Sequence, residues 1–158
     1  MIVVDTGVLL AVADADDRWH TASTTLLASY PSDQLILPAP VIPETGWMIA
    51  AVLGPATEAA FIASVAAGDF TVTDLTANDW HRVAELVEQY GDMDLGTVDA
   101  AVVAIAERLN VTTLATINPR DFGVVRPRPL RRLRTRPHTL TASRKIAPAD
   151  SRLRDSHP

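Results

Sequence analysis

Cysteine is absent from the 158-residue chain, which excludes disulfide bonds and metal sites built on thiolates. The sequence also lacks an apolar run of the roughly 18 residues that a membrane-spanning helix needs. At the N-terminus there is no basic segment followed by a long apolar stretch, the pattern typical of a secretory signal. We therefore expect a protein of the cytoplasm with no membrane partner.

Basic side chains are scarce in most of the chain and concentrated at its end. Residues 1–125 hold 4 of the 14 basic residues and 17 of the 19 acids, a net charge of −13, whereas residues 126–158 hold 10 basic and 2 acidic residues, a net charge of +8. The acidic part would repel a polyanion unless cations were bound to it, and the basic part could attract one. Because its five prolines are accompanied by few large apolar side chains, we expect a disordered tail over residues 130–158, after a folded domain over residues 1–129.

Short apolar segments alternate with helical patterns throughout the folded domain. The first segment is a run of branched residues that ends at Asp5, and residues 124–125 are predicted as a last edge strand. Thr76 and Asp79 have the spacing of a capping box at the start of a helix. The alternation indicates an α/β fold with a mainly parallel central sheet.

Acidic side chains occur at four places beside apolar sequence, where a buried carboxylate is costly without a partner. Asp5 ends the first strand, Glu44 and Asp99 lie at the starts of predicted helices, and Asp121 follows the last main strand with Asn118 nearby. In a parallel sheet these positions share one edge. Each acid has an ordinary structural explanation when taken alone, as a cap, a helix-dipole partner or a turn residue. Together they would repel one another unless a cation such as Mg²⁺ or Mn²⁺ neutralised them.

Four sequence segments resemble those of PIN-domain proteins of the VapC type, the ribonuclease toxins of bacterial toxin–antitoxin pairs. They occur in the order found in that family and lie at residues 3–10, 43–44, 96–108 and 116–122. The resemblance covers about residues 1–127, and it implies a three-layer α/β/α PIN-like fold. The helix around Asp99 and the closing Asp121-Phe122 pair are the most specific segments.

The resemblance implies a metal-dependent endoribonuclease in which Asp5, Glu44 and Asp99 bind Mg²⁺ or Mn²⁺. RNA would be cleaved by metal-activated water, leaving 5′-phosphate and 3′-hydroxyl ends. Family members often carry a further acid just after the last main strand, but the first candidate position here is the neutral Asn118. Asp121, three residues later, could supply the missing charge. Thr6 matches a hydroxyl residue that commonly follows the first acid, and it could bind a ligand or a bridging water.

The same resemblance implies several partners. These are a cognate VapB-type antitoxin whose C-terminal segment covers the acidic cleft, an RNA substrate, and a second copy of the chain in a homodimer. The basic tail could raise the affinity for RNA through counterion release, or it could be a neutral extension.

Three other functions fit parts of the sequence. Within Val4-Asp5-Thr6-Gly7, the residues Asp5-Thr6-Gly7 resemble the active-site tripeptide of aspartic proteases, but that fold is almost entirely β, whereas this sequence is rich in helical patterns. Phosphatases of the haloacid-dehalogenase type also have a strand that ends in aspartate, yet they require a second aspartate where this chain has Gly7. The third alternative is a catalytically silent PIN domain that binds RNA or a protein, and Asn118 is the feature that keeps this alternative open.

Overall fold

A five-stranded sheet in which all neighbouring strands are parallel forms the centre of the computed structural model, which describes residues 1–93, 95–123, 125 and 134–136, with the backbone alone at 120 and 121. The strands lie in the order β3-β2-β1-β4-β5. Their bounds are β1 Ile2–Val4, β2 Leu35–Pro38, β3 Thr71–Thr73, β4 Thr113–Ala115 and β5 Arg134–Arg136. The prediction of a mainly parallel sheet is therefore confirmed.

Helices connect the strands. Two parallel strands can be joined only by a crossover that carries the chain from the carboxyl end of one strand back to the level at which the next strand begins. They are α1 Thr6–Ala13, α2 His20–Ala28, α3 Val41–Leu53, α4 Pro55–Ala67, α5 Ala77–Tyr90, α6 Thr97–Leu109 and α7 Pro119–Gly123. Helix α1 packs with α2 and with α3, α3 packs with α4, and α5 packs with α6. This arrangement is the predicted three-layer α/β/α fold. No helix in the described ranges combines the length and apolar character needed to cross a membrane.

The core lies where α6 meets the sheet. All three residues of β1 are fully buried, as expected for a strand covered on both faces. Helix α6 buries every residue from Ala100 to Ala106, and its four alanines in that stretch allow close packing. Two ion pairs join α5 to the last turns of α6, one between Arg82 and Glu107 and one between Asp79 and Arg108. The predicted capping box of Thr76 and Asp79 is present at the start of α5.

The fifth strand differs from the sequence-based prediction. Val125 is not part of a strand, residue 124 lies outside the described residues, and Arg134–Arg136 forms β5 instead. Disorder was therefore the wrong expectation for these three residues, and the rest of the predicted tail lies outside the described residues. Backbone hydrogen bonds explain the strand, because Arg134 N donates to Thr112 O and Thr116 N donates to Arg136 O. Pairing with the open edge of β4 outweighs a basic composition that by itself disfavours folding.

Candidate functional site

Asp5 is held at the carboxyl end of β1 by hydrogen bonds to both of its carboxylate oxygens. It is the N-cap of α1, and its Oδ1 accepts a hydrogen bond from Thr6 N at 2.8 Å. Its Oδ2 accepts from the hydroxyl of Thr116 at 2.8 Å. The side chain is buried, with 6% of the residue surface exposed. The carboxylate is thus fixed in orientation before any ligand arrives.

Thr116, the first residue of the matched segment 116–122, is the member of this site to which the sequence assigned no role. It follows β4, and its hydroxyl both donates to Asp5 Oδ2 and accepts a hydrogen bond from Asn118 N at 3.0 Å. Its backbone N–H donates to the carbonyl of Arg136 on β5. One residue therefore links β1, β5 and the loop after β4. The available signal in the sequence was a hydroxyl side chain at the end of a predicted neighbouring strand.

Glu44 is hydrogen-bonded to Thr6, the residue that follows Asp5. It lies in the first turn of α3, is half-buried, and accepts a hydrogen bond at Oε2 from the hydroxyl of Thr6. Thr6 was predicted to bind a ligand or a bridging water, and that role stays a prediction. The structure shows a direct hydrogen bond between Thr6 and Glu44. This bond holds the carboxylate of Glu44 beside Thr6, the residue that follows Asp5.

Asp99 approaches from the opposite layer, in the first turn of α6. Its Oδ2 accepts a hydrogen bond from Gly96 N at 3.3 Å, so the side chain also closes the helix N-terminus. The pKa of Asp5 is raised from 3.8 to about 6, mainly by burial and also by the negative charges of Asp99 and Glu44. The hydrogen bonds from Thr116 and from Thr6 N act in the opposite direction and lower it. The charges of Glu44 on α3 and Asp99 on α6 therefore reach Asp5 at the carboxyl end of β1.

Gly7 allows the chain after Asp5 to lie against the loop after β4. A Cβ at this position would be only 2.8 Å from Cγ1 of Ile117, which is closer than such atoms approach. Ile117 follows Thr116 directly, so a side chain at Gly7 would press on the segment that holds Asp5. The glycine is required here by close approach rather than by backbone conformation.

The two remaining candidates, Asn118 and Asp121, both lie in the segment after β4, and a role as ligand stays a prediction for each. Asn118 is exposed, and its backbone N–H donates to Thr116 as described above. Asp121 belongs to α7, but its side chain lies outside the described residues, so its predicted role as a ligand stays a prediction.

The donors present suit a hard divalent cation in their chemistry. All three described acids offer carboxylate oxygens, the ligand type that Mg²⁺ and Mn²⁺ prefer. Within the described part of the chain, no basic side chain forms an ion pair with Asp5 or Glu44. No three acids or histidines among the described side chains lie close enough together to hold a metal ion as they stand. Direct binding of one cation by all three acids would therefore require their side chains to move closer, and the charge of the cation would offset their mutual repulsion.

Comparison with known proteins agrees with this fold. A family model described as the PIN domain matches residues 2–125. Ribonuclease VapC26 of Mycobacterium tuberculosis is 30% identical over 126 residues, which cover 80% of this chain and 93% of that protein. The chain therefore belongs to the PIN-domain family, among its VapC proteins.

Solved structures show the same architecture. VapC20 of Mycobacterium tuberculosis, described as a sarcin-ricin loop cleaving toxin, superposes with a TM-score of 0.71 at 21% identity, covering 77% of this chain and 92% of that one. A chain of VapBC2 of Rickettsia felis, in a structure bound to a DNA fragment of the promoter, also matches, with a TM-score of 0.60 at 17% identity, covering 85% of this chain and 97% of that one. At these identities the matches establish the fold.

Proposed function

We propose that this protein is a metal-dependent endoribonuclease whose active site is built on Asp5, Glu44 and Asp99. The observation that carries the proposal is the buried, doubly hydrogen-bonded Asp5, whose pKa is raised both by burial and by the other two acids. Such a cluster is costly to fold without a function that requires it. The relative VapC26 is named a ribonuclease, which supports RNA as the substrate.

Asp5, Glu44 and Asp99 would hold Mg²⁺ or Mn²⁺, and Asp121 is the candidate for a further ligand. When bound, the ion supplies positive charge for the phosphate oxygens and acidifies a water molecule for attack on phosphorus. The protein contributes orientation. Thr116 and the backbone of Thr6 fix the two oxygens of Asp5, and the hydroxyl of Thr6 fixes Glu44. Fixed carboxylates lose less conformational freedom when they bind a ligand.

We also propose that the chain is the toxin of a VapBC-type pair and that a VapB-type antitoxin covers it. Matching structures include VapBC from Salmonella typhimurium and a toxin–antitoxin complex from Klebsiella pneumoniae, which supports this proposal. Helices α3 and α4 expose large apolar side chains, among them Trp47, Val52 and Ile62. Trp47 is 72% exposed, which excludes a place in the core and leaves its indole ring open to a partner. An exposed apolar surface of this kind also suits the homodimer that the family resemblance implies.

A catalytically silent PIN domain is the second candidate function. It is favoured by the neutral side chain at Asn118 and by the absence of any three acids or histidines close enough to hold a metal ion among the described side chains. In that case the fold would act by binding RNA or a protein alone.

RNA cleavage by the purified protein decides between the two. We expect cleavage of structured RNA with Mg²⁺, none with excess EDTA, and at least about a hundredfold loss in Asp5→Asn and Asp99→Asn, because each variant removes a charged ligand. Asp69→Asn is the matched control, since Asp69 is an exposed acid in the loop before β3. Cleavage that survives both site variants would overturn the assignment, and an unmodified protein that binds RNA without cutting it would support the silent module.

A further inference from the structure

Strand β5 presents two arginines at an edge of the sheet beside the candidate site. Arg134 and Arg136 are both exposed, and Thr135 between them is half-buried. Because side chains alternate along a strand, the two guanidinium groups project on the same face of β5. The pair is therefore a small cationic surface rather than two unrelated charges.

The register of the strands places this surface next to Asp5. Val4 pairs with Ala115 and Ala115 with Arg136, so Arg136 lies two strands from the residue before Asp5, about 10 Å at the usual strand spacing. Hydrogen bonds through Thr116 also connect Arg136 to Asp5. Arg136 O accepts from Thr116 N, and the hydroxyl of Thr116 donates to Asp5. Since β5 runs parallel to β4, its carboxyl end lies at the edge where the acids are found.

The other described arginine side chains are engaged elsewhere. Arg82 and Arg108 form ion pairs with acids, and Arg18 lies over the ring of Trp19, with 5.4 Å between its guanidinium carbon and the ring centre. No ion pair engages Arg134 or Arg136 within the ranges that the structure describes. In a body with a net charge of −13 over residues 1–125, these two arginines are placed to attract a polyanion toward the site.

We propose that Arg134 and Arg136 bind phosphate groups of the RNA strand next to the bond that is cleaved. This inference rests on the proposed function, and it names a substrate-binding surface that lies apart from the carboxylates. Arginine suits the task because its planar guanidinium group can donate two hydrogen bonds to one phosphate. The contacts would position the RNA without reading its bases. The competing explanation is that charged residues on an edge strand prevent pairing with another sheet edge.

Binding measured without cleavage separates these explanations. The probe is a fluorescein-labelled single-stranded RNA of about 20 nucleotides and mixed sequence, titrated in EDTA at roughly 50 to 300 mM KCl. For the double variant Arg134→Gln/Arg136→Gln we expect about tenfold weaker binding at the lower salt and a slope of log K against log salt reduced by about 1.4, since each lost phosphate contact contributes about 0.7. The Lys/Lys variant keeps the charge and should keep most of the slope. Arg18→Gln is the control for loss of an arginine away from the site.

Each result has a definite meaning. Wild-type affinity and slope in the double Gln variant would overturn the proposal. Self-association of that variant with unchanged RNA binding would do the same and would assign the arginines to edge protection. Loss of antitoxin binding with RNA binding retained would overturn it in favour of a protein partner. If the wild-type protein binds RNA through these arginines yet cleaves none with Mg²⁺, the phosphate surface stands and the nuclease proposal fails.

Discussion

The hydroxyl of Thr116 donates a 2.8 Å hydrogen bond to Oδ2 of Asp5, across 111 residues of sequence. The same hydroxyl accepts from Asn118 N, so its single proton is directed at Asp5. The bond favours the charged form of Asp5 and lowers the pKa that burial raises. Thr116 is therefore a positioning residue for the first carboxylate.

Substitution of Thr116 tests this role. Thr116→Val keeps the shape and removes the hydroxyl, and we expect roughly tenfold lower RNA cleavage because an unfixed carboxylate binds its ligand less well. Thr116→Ser restores the hydrogen bond and should recover most of the activity. The measurement is the cleavage rate at saturating RNA, with circular dichroism to confirm folding. Equal rates in the Val and Ser variants would show that the hydroxyl has no such role.

Asp5→Asn is expected to stabilise the metal-free protein at high pH. The pKa of Asp5 is about 6 in the folded state against 3.8 ordinarily, so the folded state binds the proton more tightly. The free energy of unfolding therefore falls as pH rises through the window between these values, and remains reduced above it. In EDTA at about pH 8, the neutral variant should gain about 1–2 kcal/mol, less than the full two-unit shift implies because an amide accepts weaker hydrogen bonds. Urea unfolding at both ends of the window measures this, and an equal effect at both ends would contradict it.

The effect of Gly7→Ala on stability is expected to be unfavourable in the wild-type protein and neutral or favourable in an Ile117→Ala variant. In the wild-type protein the new Cβ would meet Ile117 Cγ1 at 2.8 Å, and relief of this overlap should cost about 1 kcal/mol of stability together with part of the activity. In the Ile117→Ala background the overlap is gone, and alanine in helix α1 should be neutral or stabilising. A double-mutant cycle from denaturant unfolding gives the coupling. Additive effects would show that the close approach is unimportant.

Glu107→Gln is expected to lower the stability of the protein by weakening the contact between α5 and α6. Arg82 donates to Glu107 through Nε at 2.9 Å and Nη2 at 3.0 Å, and the two side chains are only 12% and 9% exposed. Loss of the charge leaves a mostly buried guanidinium group with a weaker partner, at a cost of about 2–3 kcal/mol. Glu85→Gln is the matched control, because Glu85 pairs with the same arginine but is 55% exposed, and its loss should cost less than about 1 kcal/mol. Equal losses would show that burial does not matter here.

The sequence predicted those parts of the structure that follow from local pattern and sheet geometry. Alternating strands and helices predicted the parallel sheet, and the shared edge of parallel strands placed Glu44 and Asp99 near Asp5. Thr116 gave no comparable signal, because its role depends on the pairing of β4 with β1. The pairing of Arg82 with Glu107, 25 residues apart, likewise appears only once α5 and α6 are packed. Strand β5 was missed because its basic sequence, which Pro137 follows directly, lacks an apolar pattern and folds only against the edge of β4.

Metal titration tests most directly whether Asp5, Glu44 and Asp99 form one cation site. Calorimetric titration of the protein with Mn²⁺ should show a site whose affinity falls at least about tenfold in each of Asp5→Asn, Glu44→Gln and Asp99→Asn, because each loses a charged oxygen ligand. Asp69→Asn should bind as the wild type does. Binding that is unchanged in all three site variants, or absent from the wild-type protein, would contradict a cation site built on these carboxylates.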